Sequence, residues 1–224
     1  MSPPPLQPRP SPASEPLGFL SDVHGNLVAL NAVLDELKRR EVRHVFVAGD
    51  LLLGGDAPLE VWRRLQQIGA RCVCGPSDLA LARVDPQLLK PEDDAETEKL
   101  ATFVDTQRAV GQLVLKQLAQ LPRELRIPMM DGSELLLVHG SPKDSFESIS
   151  HAMDETELRV MLDDDPADLV VCGGTHVPFQ RMVDDVQIIN VGSVGDAPEG
   201  HNAHYTIVAP QMVGAQVIQA YVEY

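Results

Sequence analysis

Cysteine is scarce in this chain: of 224 residues only Cys72, Cys74 and Cys172 carry thiols. An odd, small number excludes a disulfide scaffold and points to reduced thiols and a cytoplasmic protein. Long apolar runs are lacking too, since none reaches the about 20 residues that a bilayer span needs. No membrane partner is expected. Residues 1–16, MSPPPLQPRPSPASEP, lack the apolar centre of a secretory signal. Their Pro and Ser content reads as a disordered or polyproline-II-like tail, which leaves residues 17–224 as the folded domain. Basic clusters are few. Lys and Arg number 18 against 33 Asp and Glu, a formal charge of −15. The short basic run at residues 38–40 ends a predicted helix, where the dipole favours it. A surface of this sign repels the nucleic-acid backbone, so bulk DNA or RNA is not an expected partner. No internal repeat is visible.

What the sequence does contain is a recurring local pattern. Short apolar runs, read as buried strands, end in Gly, Asp or His: LGFLSDVHGN at 17–26, HVFVAGD at 44–50, RCVCGPSD at 71–78, ELLLVHGSP at 134–142, DLVVCGGTH at 168–176 and QIINVGSVG at 187–195. AHYTIVAP and AQVIQAYVEY read as a closing hairpin. Helical spacing fills the gaps. Residues 26–40 place apolar side chains at 27, 30, 33, 34 and 37, one helix face, and residues 57–69 do likewise, with Trp62 in the core. A longer amphipathic segment covers 99–121, after an acidic stretch at 91–98 that reads as a solvated loop or a helix start. A short helix spans 154–162. Strands alternating with helices predict an α/β fold, and the strand-rich last third predicts mixed rather than purely parallel sheets.

Four of these runs deliver Asp or His at the same strand end. Asp22 and His24, at i and i+2, would point the same way from extended backbone and grip one cation. Asp50 ends the second run, His139 the ELLLV run and His176 the DLVVCGGT run. Open α/β sheets place ligand sites at strand C-termini. Carboxylate and imidazole donors together suit Mn, Fe, Co, Ni or Zn. Two carboxylates on one dication also leave the centre near neutral, which limits the cost of burying it. Cys72 and Cys74 would face one side of a strand, as buried thiols or as a metal pair. Asn26 could cap the following helix, contact phosphate, or both.

DVHGN, GD, VHGSP and GGTH, in this order and spacing, resemble the calcineurin-like metallophosphoesterases, most closely the bacterial branch of diadenosine-tetraphosphatase-like and small phosphodiesterase proteins. HGSPKD, THVPF and INVGSVG strengthen the likeness, which covers residues 17–208. The resemblance implies a four-layer α-β-β-α sandwich with two mixed sheets, and two metals bridged by a carboxylate. It implies Asp22, His24, Asp50 and His176 as first-metal ligands, Asp50 as the bridge, and His139 on the second metal. It further implies hydrolysis of a small phosphorylated substrate, monoester or diester, by a metal-bound hydroxide, with manganese favoured. A homo-oligomer is compatible with it.

Two departures qualify that expectation. Where the family reads Gly-Asn-His-Asp or Glu, this chain has Gly75-Pro76-Ser77-Asp78; where it reads Gly-His-Thr-His, this chain has Gly173-Gly174-Thr175-His176. Pro76 and Gly174 remove two second-metal ligands, and Ser77 replaces the imidazole that would protonate a leaving group. One tightly bound metal and a weak or absent second are therefore expected. His139 would then hold the second metal, or phosphate or water in its stead. Ser77 reads as a helix start or a substrate contact, and His201 or His204 could swing in as a replacement ligand. A hydrolase and a non-catalytic metal- and phosphate-binding regulatory module both remain open.

Overall fold

The computed structural model describes residues 11–165 and 167–224. Most of the expected tail, residues 1–10, lies outside them. Ala13 is held against the domain by bonds in which its amide donates to the Pro128 carbonyl at 2.8 Å and its own carbonyl accepts from Met130 at 3.1 Å.

The chain runs β1 (Leu17–Leu20), α1 (Leu27–Arg39), β2 (His44–Val47), α2 (Pro58–Gln67), β3 (Arg71–Cys72), α3 (Pro76–Arg83), a 3-10 turn (Pro86–Leu88) and α4 (Asp94–Leu118). There follow β4 (Glu124–Pro128), β5 (Glu134–Val138), α5 (Glu155–Leu162), β6 (Leu169–Cys172), β7 (Phe179–Val183), β8 (Val186–Asn190), β9 (Asn202–Pro210) and β10 (Ala215–Glu223). Two five-stranded sheets result, ordered β10-β9-β1-β2-β3 and β4-β5-β6-β8-β7. β1, β2 and β3 are mutually parallel, as are β5, β6 and β8. β9, β10, β4 and β7 add antiparallel edges. The sheets are mixed, as the strand-rich last third predicts.

Alternation along the strands builds the layers. Leu17, Phe19, Phe46 and Ala48 of the first sheet meet Leu135, Leu137, Leu169 and Val171 of the second in one core between the sheets. The opposite faces are covered as well. Leu20, Val45 and Val47 pack under α1, α2 and α4, while Leu136, Val138 and Val170 pack under Leu158 and Met161 of α5. Burial on both faces explains why the strands read as unbroken apolar runs rather than alternating ones. Phe19 and Phe46 stack at 5.2 Å between the sheets, a pairing worth about 1 kcal/mol beyond its burial. The result is the expected α-β-β-α sandwich.

The helices start where their side chains can satisfy free amides. Asn26 Oδ1 accepts from Ala29 N at 3.0 Å at the head of α1. Asp93 caps α4 by accepting from Glu96 N at 2.8 Å, so the second half of the acidic stretch is that helix's first turn, where negative charge is favoured. Gly111 (φ 74°, ψ 168°) breaks α4 into two segments. Among the described residues, no helix is long and apolar enough to cross a membrane.

Candidate metal centre

Parallel β1, β2, β5 and β6 end at one rim of the sandwich, and the loops that follow them carry the expected ligands. Asp22 and His24 follow β1, Asp50 follows β2, His139 follows β5 and His176 follows β6. Extended backbone does not aim them. Asp22, His24, Asp50 and His176 all adopt left-handed backbone, at φ 53°, 48°, 53° and 61°. That conformation is uncommon outside glycine and costs of the order of 1–3 kcal/mol per residue. Loop-to-loop hydrogen bonds hold it. Asp22 N donates to Gly49 O, His24 N to Asp50 O, Gly25 N to Leu51 O and Gly195 N to Asp22 O, all at 2.9–3.0 Å. The loops pack so closely that a Cβ on Gly75 would lie 2.1 Å from Asp50 Oδ1.

Three imidazoles are oriented alike. His24 Nδ1 lies 2.8 Å from Leu53 O, His139 Nδ1 2.7 Å from Ala48 O and His176 Nδ1 2.8 Å from Asp196 O. A carbonyl only accepts, so each Nδ1 carries the proton and each Nε2 presents a lone pair inward. Nε2 of His24 and of His176 are 3.3 Å apart, and lie 3.8 and 3.3 Å from Asp22 Oδ1. Asp22 Oδ1 is buried and makes no hydrogen bond. Two lone pairs and a bare carboxylate oxygen repel unless a cation stands among them, so this donor set fits a divalent metal.

Burial pushes the Asp22 carboxyl up, but His176, His139 and Ser21 together hold it below its ordinary range. The Asp22 carboxylate raises the pKa of His176.

The donors fall into two overlapping triads, Asp22–His24–His176 and Asp22–Asp50–His139, within each of which the ligand atoms lie within 4.8 Å of one another. Asp22 is the shared member, where the resemblance implies Asp50. The cause is local. Asp50 Oδ1 accepts from Ser77 N at 2.9 Å, which leaves Oδ2 to face His139 Nε2 at 3.8 Å.

The second half of the site is thin. Pro76 opens α3 with Gly75 as N-cap. Ser77 Oγ is buried without a partner. Gly174 donates its amide to Asp22 Oδ2 at 2.9 Å, and a Cβ there would lie 2.4 Å from Ser148 Oγ and 3.0 Å from His139 Nε2. Neither His201 nor His204 reaches the cluster. His201 packs edge-on against Tyr224, and His204 is buried with Nδ1 accepting from Ser193 N. Of the roles open to Asn26 the structure places the cap, because its Nδ2 is engaged by Tyr224 Oη and the Gly195 carbonyl. Burial pushes the Cys72 and Cys74 thiols up to about 12, and neither donor group found among the described residues includes them.

Some supports had no sequence signal of their own. Asp78, fully buried, accepts from the amides of Asp50, Leu51 and Gly75 at 2.9–3.0 Å. Its place in GPSD marks it only as a cap. Ser193 Oγ donates to Asp22 O at 2.8 Å, and Asn190 Nδ2 to Gly173 O at 2.9 Å. Both lie in the INVGSVG run, which entered as a buried strand and as part of the family likeness, with no role for either residue.

A model of the calcineurin-like phosphoesterase superfamily domain matches residues 16–211. An uncharacterized protein of Methanocaldococcus jannaschii is 26% identical over 209 residues, 85% of this chain and 81% of that protein. Two crystal structures share the fold. A hypothetical protein from Pyrococcus horikoshii OT3 aligns at TM-score 0.80 and 22% identity, covering 93% of this chain and 88% of that one. A metallophosphoesterase from Sphaerobacter thermophilus aligns at TM-score 0.76 and 24% identity, covering 95% and 89%.

Proposed function

Because this chain belongs to the calcineurin-like phosphoesterase superfamily, we propose that it is a metal-dependent hydrolase of small phosphomonoesters or phosphodiesters. The observation that carries the reading is Asp22 Oδ1, buried, without a hydrogen bond and faced by Nε2 of His24 and His176. Asp22, His24 and His176 would hold one divalent transition metal tightly, manganese being favoured, with Asp50 and His139 beside it. When bound, the metal supplies Lewis acidity and activates water. The protein's share is to fix donors in left-handed loops and to keep each imidazole in one tautomer through its carbonyl partner. His139, with Nδ1 on Ala48 O, offers its Nε2 to a second, weaker metal or to the phosphoryl group. Three buried, protonated thiols support a cytoplasmic setting.

Ser77 sets the expected substrate range. A hydroxyl is a poor acid at neutral pH, and a general acid is worth roughly 10²–10⁴-fold. Esters with good leaving groups should turn over, and alkyl phosphates slowly. The test is hydrolysis of bis(p-nitrophenyl) phosphate and p-nitrophenyl phosphate with Mn²⁺, against chelator and Asp22→Asn. Background rates in protein that holds its metal would refute hydrolysis.

Such a result would favour the second reading, a module that binds metal and phosphate without turnover. Pro76, Ser77 and Gly174 support it. The discriminating variant is Pro76→Asn with Ser77→His, which creates activity if those losses disabled the site. Gly174→His is a poorer restoration, since its backbone is left-handed (φ 76°) and Ser148 occupies the space.

A further inference from the structure

Outside the cluster the structure holds a cavity of about 690 Å³, within the about 300–1,000 Å³ of small-molecule sites. It lies between the loop after β2, the loop before α4 and the first turns of α4. Leu53, Leu89, Pro91, Leu100 and Phe103 form its apolar wall. The cavity adjoins the metal centre through one shared segment. Leu53, whose carbonyl accepts the hydrogen bond from His24 Nδ1, belongs to this wall. So does Gly54, where a Cβ would sit 3.7 Å from His24 Cβ.

Charge narrows the occupant. Lys90 and Lys99, two of only five lysines in a chain of charge −15, stand at the cavity with Glu96 and Glu98. Two cations balance two carboxylates, and Glu96 is further engaged by the Glu92 amide at 2.8 Å. The rim is thus neutral on an acidic protein. An anion gains little there, whereas an uncharged apolar group gains from the surface it buries against the wall.

We propose that this cavity receives an uncharged aryl or alkyl substituent of the phosphoester whose phosphoryl group lies at the Asp22–His24–His176 cluster. The assignment rests on the phosphoesterase reading and extends it to a substrate class, phosphoesters with a bulky apolar alcohol or phenol. It also accounts for the excursion over residues 84–111, whose loop and the start of α4 build a wall that the sheets do not supply.

The probes are methylphosphonate, phenylphosphonate and 1-naphthylphosphonate, titrated by calorimetry into Mn²⁺-loaded protein. The aryl compounds should bind about tenfold or more tighter than methylphosphonate, the fold-change that burial of a ring provides. Leu89→Trp and Leu100→Trp should each abolish that advantage and leave methylphosphonate affinity unchanged. Leu89 is 45% exposed, so its variant keeps the test sound should Leu100→Trp not fold. Methylphosphonate binding with no aryl preference overturns the cavity assignment alone. Aryl preference that survives both tryptophans overturns it also. Failure of every phosphonate to bind metal-loaded protein overturns the phosphoester reading and this inference with it.

Discussion

Asp78 illustrates how a single buried carboxylate can set a loop. Burial and the neighbouring Asp50 charge raise its pKa to about 7, while the Leu51 and Gly75 amides pull it back. Asp78→Asn offers those amides one oxygen in place of two and points an NH₂ at a donor. The expected cost is about 1–3 kcal/mol of stability by urea denaturation, together with weaker Mn²⁺ binding because Asp50 loses its mooring. Unchanged stability would show that the amides find other partners. His204 gives a pH signature. Burial depresses its pKa below the ordinary 6.5, with Glu199 opposing at 3.7 Å and Tyr221 edge-on to the ring. The unfolded chain then binds more protons, so this contribution is full above about pH 6.5 and is lost as pH falls towards the folded pKa. The stability gap between wild type and His204→Gln should therefore shrink from pH 7 to pH 5. A gap constant across that range counts against the assignment. The metal-binding candidates were legible at this scale, because Asp and His at the ends of apolar runs stand out. Their left-handed backbone was not. It depends on hydrogen bonds such as Asp22 N to Gly49 O, between segments remote in sequence.

Elements were read best where their pattern was regular. Residues 26–40 and 154–162 became α1 and α5 within a residue or two, because amphipathic spacing and caps agree there. β4 and β7 were missed. ELRIP carries a central Arg and a terminal Pro, FQRMV exposes three successive side chains, and both are sheet edges where one-sided burial weakens the apolar signal. The break in α4 was missed for a different reason, since one glycine inside an amphipathic pattern does not alter its period. At Gly111 the backbone (φ 74°, ψ 168°) lies in a region essentially reserved for glycine, although a Cβ there would meet nothing within 4 Å. Gly111→Ala should therefore destabilise by about 1 kcal/mol or more through strain alone, read by thermal or urea unfolding. A gain in stability and in helical circular dichroism would instead mean that the helix can run unbroken through this position.

At the scale of the molecule, the candidate metal centre joins the two sheets. Asp22, His24 and Asp50 come from loops of the β1–β2 sheet, His139 and His176 from loops of the β5–β6 sheet. The spacing of runs along the chain announced strands but could not say which sheet each would enter; the likeness of DVHGN, GD, VHGSP and GGTH to a known family supplied the sandwich. Because donors from both sheets converge, a bound cation should stabilise the whole domain and not one loop. Ligand linkage gives about 2.7 kcal/mol at a hundredfold excess of metal over Kd, which for a domain of this size is roughly 5–10 °C in Tm. Chelation should remove that increment, and Mn²⁺ should restore it. Asp22→Asn separates this effect from general packing. The variant should show no metal-dependent rise. Its metal-free Tm should fall below that of metal-free wild type, since the surroundings of Asp22 hold its carboxyl below the ordinary range and so favour the charged form in the folded state. A metal-dependent rise that persists in Asp22→Asn would place the stabilising ion elsewhere on the chain. A metal-free variant as stable as wild type would mean that burial of the unbonded Oδ1, rather than the surrounding histidines and the Gly174 amide bond to Oδ2, dominates what this carboxylate does for the fold.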